Sequence, residues 1–415
     1  MGLSQMMRIA WRNLWRNGRR TFLALVSIAF GLLLAILLTA MQDRNWADMI
    51  ELAARLGGGE VTVQHAELQD APTLEKTVTG TDAIVARALA DPEVERVVVR
   101  IVGQALLSTA SNSRGAGFVG IDPTQEDSTT LAVLNALAEG EMFSSADDPG
   151  IVLGARLAEN LGVTLGKKVV YNMSDRNGDI VAGLARVTGI VRTGSPGVDG
   201  GLCLLPLNTL REALGYAPDE ATQVAVFIGD QRKSDDVAAR LGATLEAPAV
   251  ALPWHESQPE LAGFIAMKVG GANFMKILIA ILIAAGIFNT LFVSVTERMR
   301  EFGIMLAIGY SPGDIHLMVM LESLWLGLVG LVVGAVLTAG PYLWLNAHGI
   351  DMTAMIGEGA VEIAGIGVSP VFKVEIFTGN AVFIAVAALV ATLLAGIYPA
   401  WKAGRVVPVE TIRLV

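Results

Sequence analysis

The sequence predicts a membrane protein with four transmembrane α-helices, arranged one plus three, and a large α+β extracytoplasmic domain between the first and second. Three observations predict this. Residues 21–42, 277–296, 323–350 and 376–401 contain no Asp, Glu, Lys or Arg, and each run has 20 residues or more. A helix of that length crosses a hydrocarbon core about 30 Å thick. Residues 43–276 have the composition of a soluble domain, with 19 Lys/Arg against 31 Asp/Glu. The 53% hydrophobic content of the 415-residue chain is thus gathered into blocks rather than spread along it.

The elements follow in order. Residues 1–20 read as an amphipathic helix, with Arg8, Arg12 and Arg16 at every fourth position and Trp11, Leu14 and Trp15 on another side. Indole rings favour the headgroup zone and Arg favours anionic lipid. The segment is therefore either a flanking anchor or an elbow helix on the cytoplasmic face. The first span, 21–42, is longer than the apolar core of a signal peptide and is expected to be an uncleaved anchor. Residues 43–56 continue without Gly or Pro until Gly57-Gly58-Gly59, which suggests a stalk above the membrane. A matching stalk at 259–269 precedes Gly270-Gly271, a hinge candidate.

The domain, 43–272, reads as α+β in one lobe or two. Strands are expected at 60–64, 97–109, 117–120, 151–153, 202–206 and 223–228, from their β-branched or alternating patterns. Residues 169–173 and 184–191 read as a hairpin closed by a type I′ turn at Asn177-Gly178. Helices are expected at 82–90, 155–161 and 234–241. Gly194-Ser195-Pro196-Gly197 reads as a turn. The remaining segments are a second span (273–296), a cytoplasmic coupling segment (297–318), a third span (319–346), an outer loop (347–377), a fourth span (378–401) and a tail (402–415). Gly327, Gly330 and Gly334 in the third span, and a run of alanines in the fourth, allow close helix packing.

Charge sets the expected orientation. With the N-terminus in the cytoplasm, residues 1–20, 297–322 and 402–415 hold ten Lys/Arg, whereas the short outer loop 351–375 holds only Lys373 beside four acids. Both termini are expected to be cytoplasmic. The acidic domain argues against nucleic acid as a partner. The single cysteine, Cys203, excludes an internal disulfide and a Cys-rich metal site. Gly162-Val-Thr-Leu-Gly166-Lys167-Lys168 is one residue short of a phosphate loop and lacks its Ser/Thr, and His255-Glu256 lacks the second His of HExxH. The spans carry no mid-bilayer ionisable group, which counts against ion-coupled transport. Energy must then come from another chain.

The coupling segment opens with Glu297, Arg298, Arg300 and Glu301, continues through the apolar stretch from Phe302 and Gly303 to Ala307 and Ile308, and turns at Gly309. A short apolar helix at the cytoplasmic face either has a protein partner that covers it or is a re-entrant or interfacial loop. Glu297, Arg298, Glu301, Phe302, Gly303, Ala307 and Gly309 are the coupling candidates. Leu37, Met41, Phe274 and Ile277, at the outer ends of the two stalk-bearing spans, are the candidates for a substrate gate.

These motifs resemble a known family. Arg12-Asn-Leu-Trp-Arg-Asn-Gly-Arg-Arg20, Glu297-Arg-Met-Arg-Glu-Phe-Gly-Ile-Met-Leu-Ala-Ile-Gly309, Tyr398-Pro-Ala-Trp-Lys-Ala-Gly-Arg405 and Pro408-Val-Glu-Thr-Ile-Arg413 are similar to signatures of the FtsX-like and MacB-like ABC transporter permeases. So are Leu153-Gly-Ala-Arg-Leu-Ala158 and Leu161-Gly-Val-Thr-Leu-Gly166. The resemblance implies a non-enzymatic permease of the inner (plasma) membrane. Its partners would be two copies of a separate ATPase, which binds ATP and Mg, and a second permease, identical or homologous. No cofactor is implied in this chain. Length, the absence of a fused ATPase and the loop from Gly349 to Gly367 are most like the lipoprotein-releasing branch, which extracts lipoproteins from the outer leaflet for a periplasmic carrier. Some relatives capture that carrier with a long Pro-containing hairpin. Here the matching place is the tight turn 175–179, so recruitment of a carrier by this chain is left open. The alternatives are an FtsX-like regulator of cell-wall hydrolases and an exporter of another amphiphile.

Overall fold

The computed structural model describes residues 2–351, 361–363, 366–368 and 371–406. In chain order, α1 (Leu3–Arg16) and α2 (Gly18–Leu56) lead into β1 (Val61–His65), α3 (Thr81–Leu89), β2 (Val94–Ser108) and β3 (Ser113–Ile121). β4 (Leu137–Gly140), β5 (Gly150–Gly154), α4 (Ala155–Leu161), β6 (Lys168–Ser174) and β7 (Ile180–Val191) follow. Next come α5 (Pro196–Gly201), β8 (Leu202–Pro206), α6 (Leu207–Leu214), β9 (Gln223–Ile228), α7 (Ser234–Gly242), β10 (Ala249–Pro253) and α8 (Trp254–Ser257). Four further helices follow, with short strands between the last two: α9 (Pro259–Glu297), α10 (Met299–Ala307), α11 (Pro312–His348) and α12 (Thr378–Gly404). α2, α9, α11 and α12 are long and apolar enough to span a membrane. The chain divides into two units. One holds residues up to Asn45, Met267–Ile350 and those from Phe372; the other holds Trp46–Ala266 and Asp351–Val371.

The second unit is built on one ten-stranded sheet. β2 is long because it serves three neighbours. Its first half pairs with β9, from Val94↔Ile228 to Arg100↔Gln223, and its second half pairs with β3, from Ile101↔Gly120 to Ser108↔Ser113. β3 runs parallel to β8, β8 antiparallel to β5, β5 parallel to β7, and β7 antiparallel to β6. β6 then returns to β2 through Leu106↔Asn172. Six strands therefore close into a ring, which leaves no open edge among them. Inward residues such as Ile101, Leu107, Phe118, Ile151, Leu153 and Val169 fill it, and Leu157, Leu161, Leu210 and Leu214 from α4 and α6 pack against them. Cys203 lies in this core with no exposed surface, and burial pushes its thiol up to about 12. A second core forms where Val61, Val63, Val224 and Val226 of β1 and β9 meet Ile84 of α3 and Val237 and Leu241 of α7.

The same unit contains the end of α2 and the start of α9. Met49, Ile50 and Ala53 pack on Leu261 and Ile265. Each such large apolar side chain contributes about 1.5–3 kcal/mol on full burial. Gln258 donates to the Ala53 carbonyl at 3.4 Å. Beyond Leu56 the chain turns into β1 through Gly59, at φ +78°, where a Cβ would lie 2.8 Å from the Val226 nitrogen. Only glycine suits that conformation and that approach. Arg100, which is fully buried, fastens the turn. It donates to both Glu126 carboxylate oxygens (2.8 and 2.9 Å), to the Thr130 carbonyl (2.7 Å) and to the Gly57 carbonyl. Its guanidinium also lies 5.7 Å from the Phe227 ring.

In the first unit the glycines of α11 set the packing. A Cβ at Gly330 would lie 2.7 Å from Ile28, and one at Gly334 would lie 2.6 Å from Leu32, both on α2. A Cβ at Gly327 would lie 2.9 Å from Leu389 of α12. The third span thus uses its small residues against the first and fourth, the close approach expected of helices in lipid. Asp43 of α2 accepts from Asn380 Nδ2 (2.8 Å) and from the Phe377 backbone nitrogen (3.0 Å), placing a carboxylate at the start of α12.

Three local readings change. The hairpin turn is a five-residue loop: Ser174 pairs with Ile180, Asp175 N donates to the Asp179 carbonyl, and the Asp175 carboxylate accepts from the nitrogens of Asn177 and Asp179. That side-chain bonding replaces the two-residue type I′ geometry. Gly270-Gly271 lies inside the continuous α9, so it does not break the helix. Pro196 starts the short helix α5, as its fixed φ allows. The predicted signature at 408–413 and residues 352–360, 364–365 and 369–370 of the outer loop lie outside the described residues.

Candidate coupling site and membrane cavity

α10 follows α9 after a single residue, Arg298, and its two sides differ in kind. Phe302 is fully buried among Val295, Ile315, Val319, Ala400 and Ala403, and Gly303 is buried beside it. On the other side Ile304, Ala307, Ile308 and Gly309 are exposed, Ile308 to 71%. Gly309 has φ +101° and ends the helix in a conformation that favours glycine.

The charged candidates turn toward the chain's own helices. Arg298 is 5% exposed and donates to both oxygens of Glu322 on α11, at 2.9 and 3.0 Å. Glu322, 6% exposed, also accepts from Asn13 Nδ2 of α1 at 2.8 Å. Arg298 Nε donates to Glu301 at 3.2 Å, and its guanidinium lies 5.1 Å from the Phe302 ring. Glu301 in turn pairs with Arg16 of α1 at 2.8 Å, and Glu297 pairs with Arg20 of α2. Arg16, Arg20 and Arg298 thus balance Glu297, Glu301 and Glu322. α1 is held further by Trp325 Nε1, which donates to the Met7 carbonyl at 3.2 Å, and by an edge contact of Trp11 on Trp325 with centroids 5.1 Å apart.

Sequence reasoning missed Glu322, Asn13, Arg16 and Arg20 as members of this cluster. One signal was present. Glu322 is the only acid between Asp314 and Asp351 and directly precedes an uncharged run. A second omission is a literal nucleophile-elbow pattern, Gly309-Tyr-Ser311-Pro-Gly313. Ser311 caps α11 instead: its Oγ accepts from Asp314 N, and the Asp314 carboxylate accepts from Ser311 N, a reciprocal capping box.

A cavity of about 510 Å³ lies among α2, α9 and α12. Gly31, Leu32 and Ala35 form one wall, Ile277, Ala280 and Ile283 another, and Phe383, Ile384, Ala387, Ala388 and Ala391 the third. Asn273, Lys276 and Asn380 gather at one end. Its size and apolar lining suit a small amphiphile or an acyl chain. Of the four gate candidates, Ile277 lines this cavity. Phe274 is 63% exposed on α9, and Leu37 and Met41 are half-buried on α2; none of these three lines it. The fourth span, which sequence reasoning left out of the gate, supplies one wall.

Comparison with known proteins follows the same division. Residues 21–244 match the MacB-like periplasmic core domain, and residues 273–408 match the FtsX-like permease C-terminal region. The chain is 27% identical to the lipoprotein-releasing system transmembrane protein LolC of Xylella fastidiosa (strain 9a5c), over 96% of this chain and 95% of that one. It is 24% identical to the lipoprotein-releasing system transmembrane protein LolE of Haemophilus influenzae, over 97% and 98%. Similarity to the macrolide export ATP-binding/permease protein MacB of Nitrobacter winogradskyi is 24%, over 99% of this chain and 60% of that protein.

Proposed function

The chain belongs to the family of multi-pass ABC transporter permeases that join a MacB-like periplasmic core domain to an FtsX-like C-terminal region, and on that premise we propose that a separate ATPase subunit, docked on α10, drives it to extract lipoproteins from the outer leaflet of the inner membrane. Both termini and α10 face the cytoplasm in this reading, and the sheet domain faces the periplasm, in keeping with the Lys/Arg distribution. Two ATPase copies bind ATP and Mg, and two permeases, identical or homologous, form the membrane part.

The observation that carries the docking assignment is the exposed side of α10. Ile304, Ala307 and Ile308 present apolar surface on a helix too short to enter the membrane. The docking contact is assigned to these three and Gly309. Glu297, Arg298, Glu301, Phe302 and Gly303 keep the helix in position. Ala307→Asp places a charge at the centre of that surface and is expected to abolish copurification of the ATPase while the permease still inserts and folds. Unchanged copurification removes the assignment.

Lipoprotein as substrate is supported by similarity to LolC and LolE proteins over nearly the full length of each chain. The cavity among α2, α9 and α12 is the candidate place for an acyl chain on its way out. Export of another amphiphile is the second reading, favoured by the MacB similarity. Mass spectrometry of material trapped by an ATPase unable to hydrolyse ATP separates them: acylated polypeptide supports the first reading, a free amphiphile the second.

A further inference from the structure

The two stalk-bearing spans reach α10 by different routes. α9 ends at Glu297 and α10 begins at Met299, so that connection is covalent and one residue long. α2 has no such link; nearly the whole domain lies between it and α9 in sequence. At its cytoplasmic start, α2 and the helix before it reach the α9–α10 junction through side chains. Arg20 of α2 pairs with Glu297, and Arg16, at the end of α1, pairs with Glu301. α1 and α2 are separated by Asn17 alone, and Thr21 Oγ1 braces the corner by donating to the carbonyls of Leu14 and Asn17.

The parts of this cluster are unequal. Arg16–Glu301 and Arg20–Glu297 are substantially exposed, with side chains 35–47% accessible, and exposed pairs of this kind hold weakly. The Arg298–Glu322 pair is buried, at 6% and 8% side-chain exposure, and Asn13 supplies a third contact from α1. Removing one partner there leaves a buried charge unmatched, which costs far more than losing a surface pair. Glu322 is therefore the point at which α1, the α9–α10 junction and α11 are joined.

We propose that Glu322 is a positioning residue which, through Arg298 and Asn13, ties the coupling helix to α1, so that movement imposed on α10 reaches the first span as well as the second. The proposal rests on the reading of α10 as the ATPase-facing segment. Without the tie, α10 pulls on α9 alone; with it, α2 and α9 move together. The exposed pairs Arg16–Glu301 and Arg20–Glu297 keep the register of that joint motion.

The test uses the full chain with its copurifying ATPase in nanodiscs. Spin labels at Leu23→Cys with Leu394→Cys report α2 against α12, and labels at Leu282→Cys with Leu394→Cys report α9 against α12. All three sites are more than 60% exposed. In the otherwise unchanged protein, a non-hydrolysable ATP analogue is expected to shift both distances. Glu322→Gln is expected to keep ATPase copurification and the α9 shift, to lose the α2 shift, and to lower substrate release at least tenfold while ATP hydrolysis continues. Glu322→Asp is expected to restore the α2 shift in part. Where Glu322→Gln does not insert, Asn13→Ala, which removes only the α1 contact of Glu322, is read in its place, with the same expected split. An α2 shift as large as in the parent protein, in whichever variant folds, overturns the proposal. Failure of any ATPase to copurify with the parent protein overturns the reading of α10 instead.

Discussion

Replacing Arg100 by Met tests how the end of α2 is fixed to its own unit. The substitution keeps the length of the side chain and removes the guanidinium, with its contacts to Glu126, Thr130 and Gly57. Glu126, whose side chain is 1% exposed, is left as a buried carboxylate without its counter-charge. Loss of one partner of such a pair costs about 3–5 kcal/mol. That is a large part of the roughly 5–15 kcal/mol by which a domain is stable. Replacing both residues, as Arg100→Met/Glu126→Met, should recover most of the loss, because an apolar pair of similar volume is often neutral or better. The remainder reflects the Thr130 and Gly57 carbonyls, each left without its donor at about 1–3 kcal/mol if water does not reach it. Hydrogen exchange of the full chain in nanodiscs reads this directly. At about 1.4 kcal/mol per factor of ten, the single variant should speed exchange in β2, β9 and the last turn of α2 by roughly a hundredfold or more. The double variant should fall between the single variant and the parent, short of the parent by what the two carbonyls lose. Equal exchange in the single variant and the parent would refute the reasoning. So would a double variant no better protected than the single one.

Other outcomes follow from the same structure. Glu60 is 5% exposed, and desolvation raises its pKa from 4.5 to about 7 despite the hydrogen bond from Ile228 N. The folded state therefore holds the proton more tightly than the unfolded one, and stability should fall as pH rises from about 4.5 to 7, by up to about 3 kcal/mol. Glu60→Gln should flatten that slope in denaturation profiles; an unchanged slope removes Glu60 as its source. Gly334→Leu should force α11 away from Leu32 and Ala29 of α2, at a cost of about 1–3 kcal/mol, seen as a lower thermal aggregation temperature in detergent. A photo-crosslinker at Ile277 or Ala388 should trap lipid or lipoprotein more often than one at Val336 on α11. Equal labelling at Val336 would place the acyl path elsewhere.

What was legible in the sequence was what periodicity and exclusion of charge control. The four uncharged runs mark the four long helices because a charge deep in the hydrocarbon is expensive. The helices nevertheless exceed those runs. The absence of Gly and Pro through residue 56 announced that α2 goes on as a stalk, but not what it packs on: residues 46–56 meet Leu261 and Ile265, about 200 positions away. β4, β10 and the short helices α5, α6 and α8 also went unread. They are brief, and their boundaries depend on neighbours in the sheet. At the coupling segment, the sequence identified the charged residues and the apolar turn but not which side each faced. Glu297 and Arg298 look like a docking rim in one dimension. Their partners, Arg20 and Glu322, lie on other helices, and the choice between an outward and an inward charge is made by tertiary pairing.

Cys203 gives the chain an unusual practical property. It is the only thiol in the sequence, it has no exposed surface in the strand ring, and its raised pKa leaves almost no thiolate at neutral pH. Maleimide and methanethiosulfonate reagents attack the thiolate, so the native protein should stay unlabelled while folded. A cysteine placed on α2, α9 or the exposed side of α10 would be the one reactive position without any prior substitution. Cys203 also becomes an internal reporter, since its modification requires the ring to open. The rate at which it takes up label under denaturant, or during turnover, measures how often the closed strands of the domain come apart.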